Sequence, residues 1–352
     1  MSAKTMGRRV CALALLTWLL LNADVQAAYQ FVRSIQLPHN SGIVGTAVDP
    51  SGNYVYVATD RYDPFEDRTI QKYTSSGAFV RRIGQGEAPN SVTVNSAGNV
   101  FLGDGFGAAV SNFTSSGDFV NYFYVDWNAS GGLSIAAGLN NDIWSTSGTG
   151  KVSHYSTMGQ LLSQFTIPGI TISPGSGPNA SPSAIAVDPA GNRIYVALEN
   201  NVVNGPAGNR ILAFTPSGTL VNQFGTTGSG TGQLQLTFGS GLAVDGSHNV
   251  FVGDSLNNRV QIFNGLTGQY LAQFGSQGSG DGQFDLVVGV ALDPSGNVWV
   301  GDGRNDRVQM FGVPEPASAV LLGIGIVGVL CIRRTCNKGR ARSQLLEQKT
   351  AR

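Results

Sequence analysis

The chain has 352 residues and a formal net charge of zero, and it combines 48 glycines with only 12% charged residues. This composition excludes a helical bundle and indicates many turns between short strands. The length allows one large domain or two ordinary ones.

The first predicted element is a secretory signal peptide at residues 1–27. Lys4, Arg8 and Arg9 precede an apolar run at residues 11–21, and Val25 and Ala27 occupy the small-residue positions of a cleavage site. The run is shorter than the roughly 17 to 25 residues that a spanning helix needs. Cleavage after Ala27 is therefore favoured over the alternative, an uncleaved membrane anchor.

A sequence pattern that predicts four strands then repeats along the chain. The inner strand and its hairpin turn occur six times, as TAVDPSGNYVYVAT, VTVNSAGNVFLGD, LSIAAGLNNDIWS, AIAVDPAGNRIYVAL, GLAVDGSHNVFVGD and GVALDPSGNVWVGD. A third strand follows each copy, as in RILAF, RVQIF and RVQMF. A fourth strand, such as LVNQF or YLAQF, follows the first five copies, but the sixth ends at Phe311 without one.

The segment before the first repeat supplies the missing strand. YQFVRSI, at residues 29–35, has the pattern of a fourth strand and can pair with the last repeat. We therefore predict an all-β fold, a six-bladed β-propeller of four-stranded blades over residues 28–312, closed by the N-terminal strand. An open solenoid is the alternative, and it would leave a sheet edge exposed that closure removes.

The repeats resemble those of the NHL family. The shared features are the Asp-Pro-x-Gly-Asn turn, an apolar strand that ends in an acid, a following Asn-x-Arg-Val, and linkers such as GSGTGQL and GSGDGQF. The resemblance implies the propeller fold. It leaves function open, because propellers of this kind include scaffolds, binding proteins and enzymes.

Polar residues that recur at equivalent positions are interpreted as structural. Asp254, Asn258 and Arg259 in the fifth repeat become Asp302, Asp306 and Arg307 in the sixth. Repeated polar groups usually join neighbouring strands and repeats. The glycine-rich linkers are not followed by the Lys-Ser/Thr of a phosphate-binding loop.

The sequence predicts no catalytic residue, metal site or cofactor. Cys11, Cys331 and Cys336 all lie in the terminal segments, so the repeats have no thiol. Propeller enzymes similar to this chain, such as lactonases and lyases, carry their metal or catalytic residues where the inner strands enter the central channel. Asn90 is the one side-chain amide at these positions, and no acid or histidine is among them. His39, His154 and His248 are scattered in the sequence. A hydrolase or lyase stays open as the alternative.

The predicted function is binding, by loops that are enlarged on one rim of the ring. The second-to-third strand loops and the links between blades emerge at the same end, and long copies occur after residues 60, 124, 167 and 199. Insertions gathered on one face of a repeat protein commonly mark its binding face. Tolerated growth of the loops is the alternative. The candidates pair aromatic with charged groups, as suits a protein or polysaccharide ligand: Arg61, Tyr62, Phe65, Glu66, Asp126 and Trp127.

The charge of the exported part argues against nucleic acid as a partner. Residues 28–332 contain 12 basic and 20 acidic residues, which gives a net charge of about −8. Nucleic-acid binding depends on lysine and arginine that replace counterions along the phosphate backbone.

The C-terminal segment carries the most specific short motif. Pro314, Glu315 and Pro316 precede an apolar stretch at residues 317–332, and Arg333 and Arg334 follow it. Residues 313–334 resemble the PEP-CTERM sorting signal. The resemblance implies processing by an exosortase, transient membrane retention, and display on the cell surface or in the extracellular matrix of a Gram-negative-type bacterium. The basic tail at residues 335–352 is predicted to stay on the cytoplasmic side. A plain membrane anchor is the alternative.

Overall fold

The structure is a computed structural model, and it describes residues 29–60, 68–84, 88–105, 108–125, 133–146, 148–170, 172–173, 177–178, 180–200, 208–237 and 239–313. The chain divides into two compact units, Met1–Gly312 and Val313–Arg352. All the strands named below belong to the first unit.

Four-stranded antiparallel sheets form the six blades of a propeller. Blade 1 contains β2 (Ile43–Val48), β3 (Tyr54–Thr59), β4 (Thr69–Thr74) and β5 (Phe79–Ile83). Blade 2 contains β6 (Pro89–Val94), β7 (Val100–Asp104), β8 (Ala109–Phe113) and β9 (Phe119–Tyr124). Blade 3 contains β10 (Ser134–Ala137), β11 (Ile143–Thr146), β12 (Lys151–Tyr155) and β13 (Leu161–Thr166). Two short strands, β14 (Ile172–Ser173) and β15 (Gly177–Pro178), pair with each other between blades 3 and 4.

Blade 4 contains β16 (Ala180–Val187), β17 (Ile194–Asn200), β18 (Arg210–Phe214) and β19 (Leu220–Phe224). After the short parallel pair β20 (Thr226–Thr227) and β21 (Gln233–Leu234), blade 5 contains β22 (Leu242–Val244), β23 (Asn249–Asp254), β24 (Arg259–Asn264) and β25 (Tyr270–Phe274). Blade 6 contains β26 (Val287–Leu292), β27 (Val298–Asp302), β28 (Arg307–Gly312) and the N-terminal strand β1 (Gln30–Gln36).

The N-terminal strand closes the ring, as the sequence predicts. β1 pairs antiparallel with β28, from Gln30 opposite Gly312 to Gln36 opposite Arg307. The inner strands β2, β6, β10, β16, β22 and β26 contact one another in this order, and β26 contacts β2 again. The prediction of a six-bladed, four-stranded propeller is confirmed, and the open solenoid is wrong.

Each hydrophobic core lies between two consecutive blades. On β23, Phe251 packs toward blade 6, whereas Val250 and Val252 pack toward blade 4. On β27, Trp299 packs toward blade 1. Because successive side chains of a strand point to opposite faces, both faces of every blade are buried against a neighbour. This explains why the second strands are almost continuously apolar.

In four of the six blades, the hairpin turn between the first and second strands is built around an aspartate side chain. In blade 5 the Asp245 carboxylate accepts the backbone N–H groups of Ser247 and Asn249, both at 2.8 Å. In blade 6 Asp293 does the same for Ser295 and Asn297, both at 2.9 Å. The turns also need a left-handed residue, which is glycine at Gly52, with φ of 72°, and at Gly296, with φ of 81°.

Candidate binding surfaces and the central channel

The repeated aspartate and arginine of blades 5 and 6 form a buried structural network. Asp254 accepts hydrogen bonds from Arg259 Nε at 2.7 Å, Gln261 Nε2 at 2.9 Å and the backbone N–H of Gln235 at 2.6 Å. Arg259 Nη2 also donates to the carbonyl oxygen of Gly230 at 2.7 Å. The network therefore holds the glycine-rich link between blades 4 and 5 against blade 5.

The copy in blade 6 repeats this arrangement around Asp302. Arg307 Nε donates to Asp302 at 2.8 Å, and the N–H of Asp285 does so at 2.7 Å. Burial raises the pKa of the Asp302 carboxyl above its usual value, although hydrogen bonds from Asp285, Asn305 and Arg307 act in the opposite direction. These contacts support the structural interpretation of the repeated polar residues.

The central channel is lined by the six inner strands and has a volume of about 700 Å³. Its mouth carries small and neutral residues at the positions that open these strands, including Gly45, Asn90, Ser183, Gly241 and Gly289. Within the described ranges, no three His, Cys, Asp or Glu side chains are grouped so that they could hold a metal ion. The expectation that the protein uses no metal stays a prediction.

The three histidines lie apart, each next to a different aspartate. His39 Nδ1 is 3.3 Å from Asp306, His154 Nε2 is 2.7 Å from Asp142, and His248 Nδ1 is 3.2 Å from Asp188. His154 also stacks on Trp144, with ring centroids 4.1 Å apart. The structure therefore does not bring the histidines together.

A perturbed acid lies at the end of β17. Burial raises the pKa of the Glu199 carboxyl to about 7. Its Oε2 is buried and has no hydrogen-bond partner among the described residues. Glu199 is not among the residues that line the channel.

The loop and tail residues singled out from the sequence lie outside the described residues. This applies to the binding-face candidates Arg61, Tyr62, Phe65, Glu66, Asp126 and Trp127, and to Pro314, Glu315, Pro316, Arg333 and Arg334 of the sorting motif. Their roles stay predictions. The structure does describe β9, which ends at Tyr124 just before Asp126.

Strand β9, at the outer edge of blade 2, exposes an unusual number of large apolar side chains. Phe119, Val120, Tyr122 and Tyr124 are each 44–57% exposed, whereas Phe123 points into the core. The rings of Tyr122 and Tyr124 pack edge to face, with centroids 5.6 Å apart. Exposed aromatic groups concentrated in this way are typical of interaction surfaces.

The tyrosines of β9 were missed by the sequence analysis, although the repeats contain a signal for them. By register, Tyr122 occupies the position of Gln164, Gln223 and Gln273 in blades 3 to 5. In blade 5 this glutamine accepts a hydrogen bond from Arg259 at 3.1 Å. Blade 2 has Ala109 where blade 5 has Arg259, so the arginine–glutamine contact of blade 5 has no counterpart there.

The fold and the C-terminal motif define the class: a six-bladed β-propeller that carries a sorting tag. Residues 312–334 match the family model of the PEP-CTERM protein-sorting motif. The match confirms the tag predicted at residues 313–334. Among the described residues, no helix is long and apolar enough to cross a membrane, and residues 317–332 lie outside them.

Solved structures of similar fold are propellers with different functions. A streptogramin B lyase shares 14% identity with a TM-score of 0.53, over 81% of this chain and 98% of that one. Hydrazine synthase of Kuenenia stuttgartiensis shares 13% with a TM-score of 0.51, over 76% and 82%. A Bacteroides thetaiotaomicron protein of unknown function shares 15% with a TM-score of 0.60, over 82% and 74%. At these identities the likeness establishes the fold alone.

Proposed function

We propose that this protein is an exported, surface-associated scaffold that binds protein or carbohydrate and is not an enzyme. The observation that carries the proposal is the exposed aromatic strand β9, in which Phe119, Val120, Tyr122 and Tyr124 are all 44–57% exposed. Tyrosine combines an apolar ring with a polar hydroxyl, and it is enriched at binding surfaces for this reason.

We propose that the enlarged loops extend this surface. β9 leads directly into Asp126 and Trp127, and the loop after β3 contributes Arg61, Tyr62, Phe65 and Glu66. The end of β9 and the end of β3 lie on the same rim, because each blade begins its first and third strands there. The partner is an extracellular protein or polysaccharide, and nucleic acid is not a partner.

The address follows from the sorting tag, which implies export and membrane-associated sorting. We propose that residues 1–27 are removed as a signal peptide, that residues 28–312 form the exported propeller, and that residues 313–334 hold it transiently in the membrane. Residues 335–352 stay in the cytoplasm until an exosortase-type enzyme processes the chain. The propeller then remains on the cell surface or in the matrix.

The test replaces Tyr122 with the residue found at the same position in blades 3 to 5. Tyr122→Gln introduces the glutamine of blades 3 to 5, so the fold should be kept. Binding of the purified protein to an array of glycans and to extracellular proteins of the host should fall by about tenfold or more, the range of a binding hot spot. The matched control is Phe79→Ser, because Phe79 is 55% exposed on the outer strand of blade 1. Equal binding by the parent and Tyr122→Gln would contradict the role of β9.

The second candidate is a lactonase-like hydrolase or lyase with a metal at the central channel. The observation in its favour is the channel volume of about 700 Å³, which lies in the range of roughly 300–1,000 Å³ typical of ligand sites. Metal analysis of the purified protein separates the two functions. Stoichiometric calcium or zinc that is lost in Asn90→Ala would favour the enzyme, and a metal-free parent would favour the binding protein.

A further inference from the structure

A second cavity lies between blades 4 and 5, at the end of the blades opposite to the enlarged loops. Its volume is about 480 Å³, and it is lined by Asn192, Arg193, Thr215 and Pro216 of blade 4 and by His248 and Leu266 of blade 5. All six residues belong to hairpin turns of the two blades or directly adjoin them. The cavity is therefore separate from β9 and from the central channel.

His248 has a left-handed backbone conformation, which residues other than glycine rarely adopt. Its φ is 62°, and the equivalent residues in four other turns are glycines: Gly52, Gly98, Gly191 and Gly296. Strained backbone is retained where it is required by function or by contacts. In blade 3 the equivalent Asn141 has such contacts, because its Oδ1 accepts hydrogen bonds from Ser96 Oγ and Ala97 N in blade 2.

The imidazole of His248 lies next to an aspartate of blade 4, at ion-pair distance but without hydrogen-bond geometry. Nδ1 lies 3.2 Å from Oδ2 of Asp188, whose side chain is fully buried. The other oxygen, Oδ1, accepts the N–H of Asn192 at 2.7 Å. A neutral imidazole that carries its proton on Nδ1, the nitrogen that faces this carboxylate, presents Nε2 as an acceptor, which suits a hydroxyl group of a ligand.

Arg193 adds a fixed positive charge to the same cavity. The turn of blade 4 is one residue longer than the turn of blade 5, and Arg193 is the additional residue. The backbone N–H of Asp188 donates to the carbonyl oxygen of Arg193, whereas the N–H of Asp245 donates to that of Asn249, one residue earlier in its turn. Arg193 Nη1 donates to the carbonyl oxygen of Asn192 at 2.9 Å. The guanidinium has further N–H groups, and its planar fork matches a carboxylate.

We propose that this cavity binds a hexuronate unit, the carboxylate-bearing sugar of an acidic glycan. Arg193 pairs with the carboxylate, and Nε2 of His248 accepts a hydrogen bond from a ring hydroxyl. Pro216 and the half-exposed Leu266 form an apolar wall for the face of the sugar ring. This cavity shares no residue with β9. The proposal for the cavity can therefore be wrong while the proposed function is right, and the proposed function can be wrong while the cavity binds its ligand.

The test measures binding of trigalacturonate to the purified protein by calorimetry, with a neutral galactose trisaccharide and inorganic phosphate as comparison ligands. Arg193→Gln should weaken trigalacturonate binding by about tenfold or more, as expected for loss of a charge-assisted pair. His248→Gly restores the residue of four other turns, so it should weaken binding while the melting temperature is kept. Arg304→Gln is the matched control, since Arg304 is 65% exposed at the other end of blade 6.

Two results would overturn the proposal. In the first, the parent fails to bind trigalacturonate at millimolar concentration, or binds the neutral trisaccharide or phosphate equally well. In the second, His248→Gly lowers the melting temperature and leaves trigalacturonate binding unchanged, which assigns His248 a structural contact alone. Tyr122→Gln should leave trigalacturonate binding unchanged, and this separates the cavity from the surface on β9.

Discussion

At the residue scale, glycine at the start of an inner strand allows the backbones of two neighbouring blades to approach closely. A Cβ atom at Gly241 would lie 2.0 Å from the backbone nitrogen of Val290 in blade 6. At the equivalent Gly45 of blade 1, the nearest atoms would be 3.4 Å away, in ordinary contact with Ser91 and Val92. The same position in the repeat therefore tolerates a side chain in one blade and excludes it in another.

This difference gives a matched pair of predictions. Gly241→Ala should lower the free energy of unfolding by about 1–3 kcal/mol, because the backbones of blades 5 and 6 must separate. Gly45→Ala should change it by less than about 0.5 kcal/mol. Denaturant unfolding of both variants is the measurement, and equal losses would contradict the close approach at Gly241.

Glu199 predicts a pH dependence of stability. Its pKa rises from 4.5 to about 7 in the folded state, so the folded protein binds more protons than the unfolded chain between these values. The free energy of unfolding should therefore fall as pH rises from about 4.5 to about 7. Glu199→Gln should remove this slope and stabilise the protein at pH 8 by about 2 kcal/mol, allowing for partial exposure of the side chain.

The control for Glu199 is Asp281→Asn, at an exposed carboxylate in the link before blade 6. Urea unfolding of the parent and both variants at pH 5 and pH 8 is the measurement. A parent whose stability is unchanged over this interval, or a Glu199→Gln variant with the parent's slope, would show that Glu199 is not held in a desolvated site.

At the scale of elements, the N-terminal strand makes the same kind of contacts as the outer strand of any other blade. Ile35 and Leu37 are buried in the core between blades 6 and 1, and Phe31 packs edge to face against Phe311 with centroids 6.2 Å apart. The chain after β1 is held by Asp306, whose carboxylate accepts the N–H groups of Asn40 at 2.7 Å and Ser41 at 2.8 Å. Closure therefore combines apolar packing with a buried polar link.

Deletion of residues 29–37 should destabilise the whole ring by at least about 4 kcal/mol, since each large apolar side chain contributes about 1.5–3 kcal/mol when buried. The protein should still melt in a single transition, at a lower temperature, because blade 6 loses its outer strand and blade 1 loses the side chains of that strand that pack against it. Val32→Ser is the control, as Val32 lies on the same strand and is 46% exposed. A deletion variant that melts like the parent would refute closure by β1.

At the scale of the whole molecule, the propeller and the sorting tag occupy separate segments of the chain. The PEP-CTERM match at residues 312–334 begins where the last strand, β28, ends at Gly312. An uncut chain should therefore first be membrane-associated, with the propeller outside the cytoplasm. Processing should then produce a shorter form without the basic tail.

Replacement of Pro314, Glu315 and Pro316 by alanine should block this shortening and leave secretion intact, in a host that carries an exosortase. Mass spectrometry of the C-terminal peptide is the measurement, with the parent chain in the same host as the control. A parent protein on the cell surface that still contains residues 344–352 would show that the segment is a plain membrane anchor.

The sequence by itself determined the number of blades, the strands and the closure of the ring. Alternating or continuous apolar strands and acidic turn residues are local signals, and their repetition makes each one visible several times. The missing fourth strand of the last repeat and the extra strand at residues 29–35 decide closure without any knowledge of distances.

Only the tertiary structure decided which side chains share a site. His248 and Asp188 belong to different repeats, and they meet because blade 5 packs its turn against blade 4. Tyr122 is exposed because β9 is the outermost strand of its blade. The repeat pattern specifies each blade and the apolar cores between blades, but a contact such as that of His248 with Asp188 depends on a residue that departs from the pattern, and it becomes visible only when the ring is assembled.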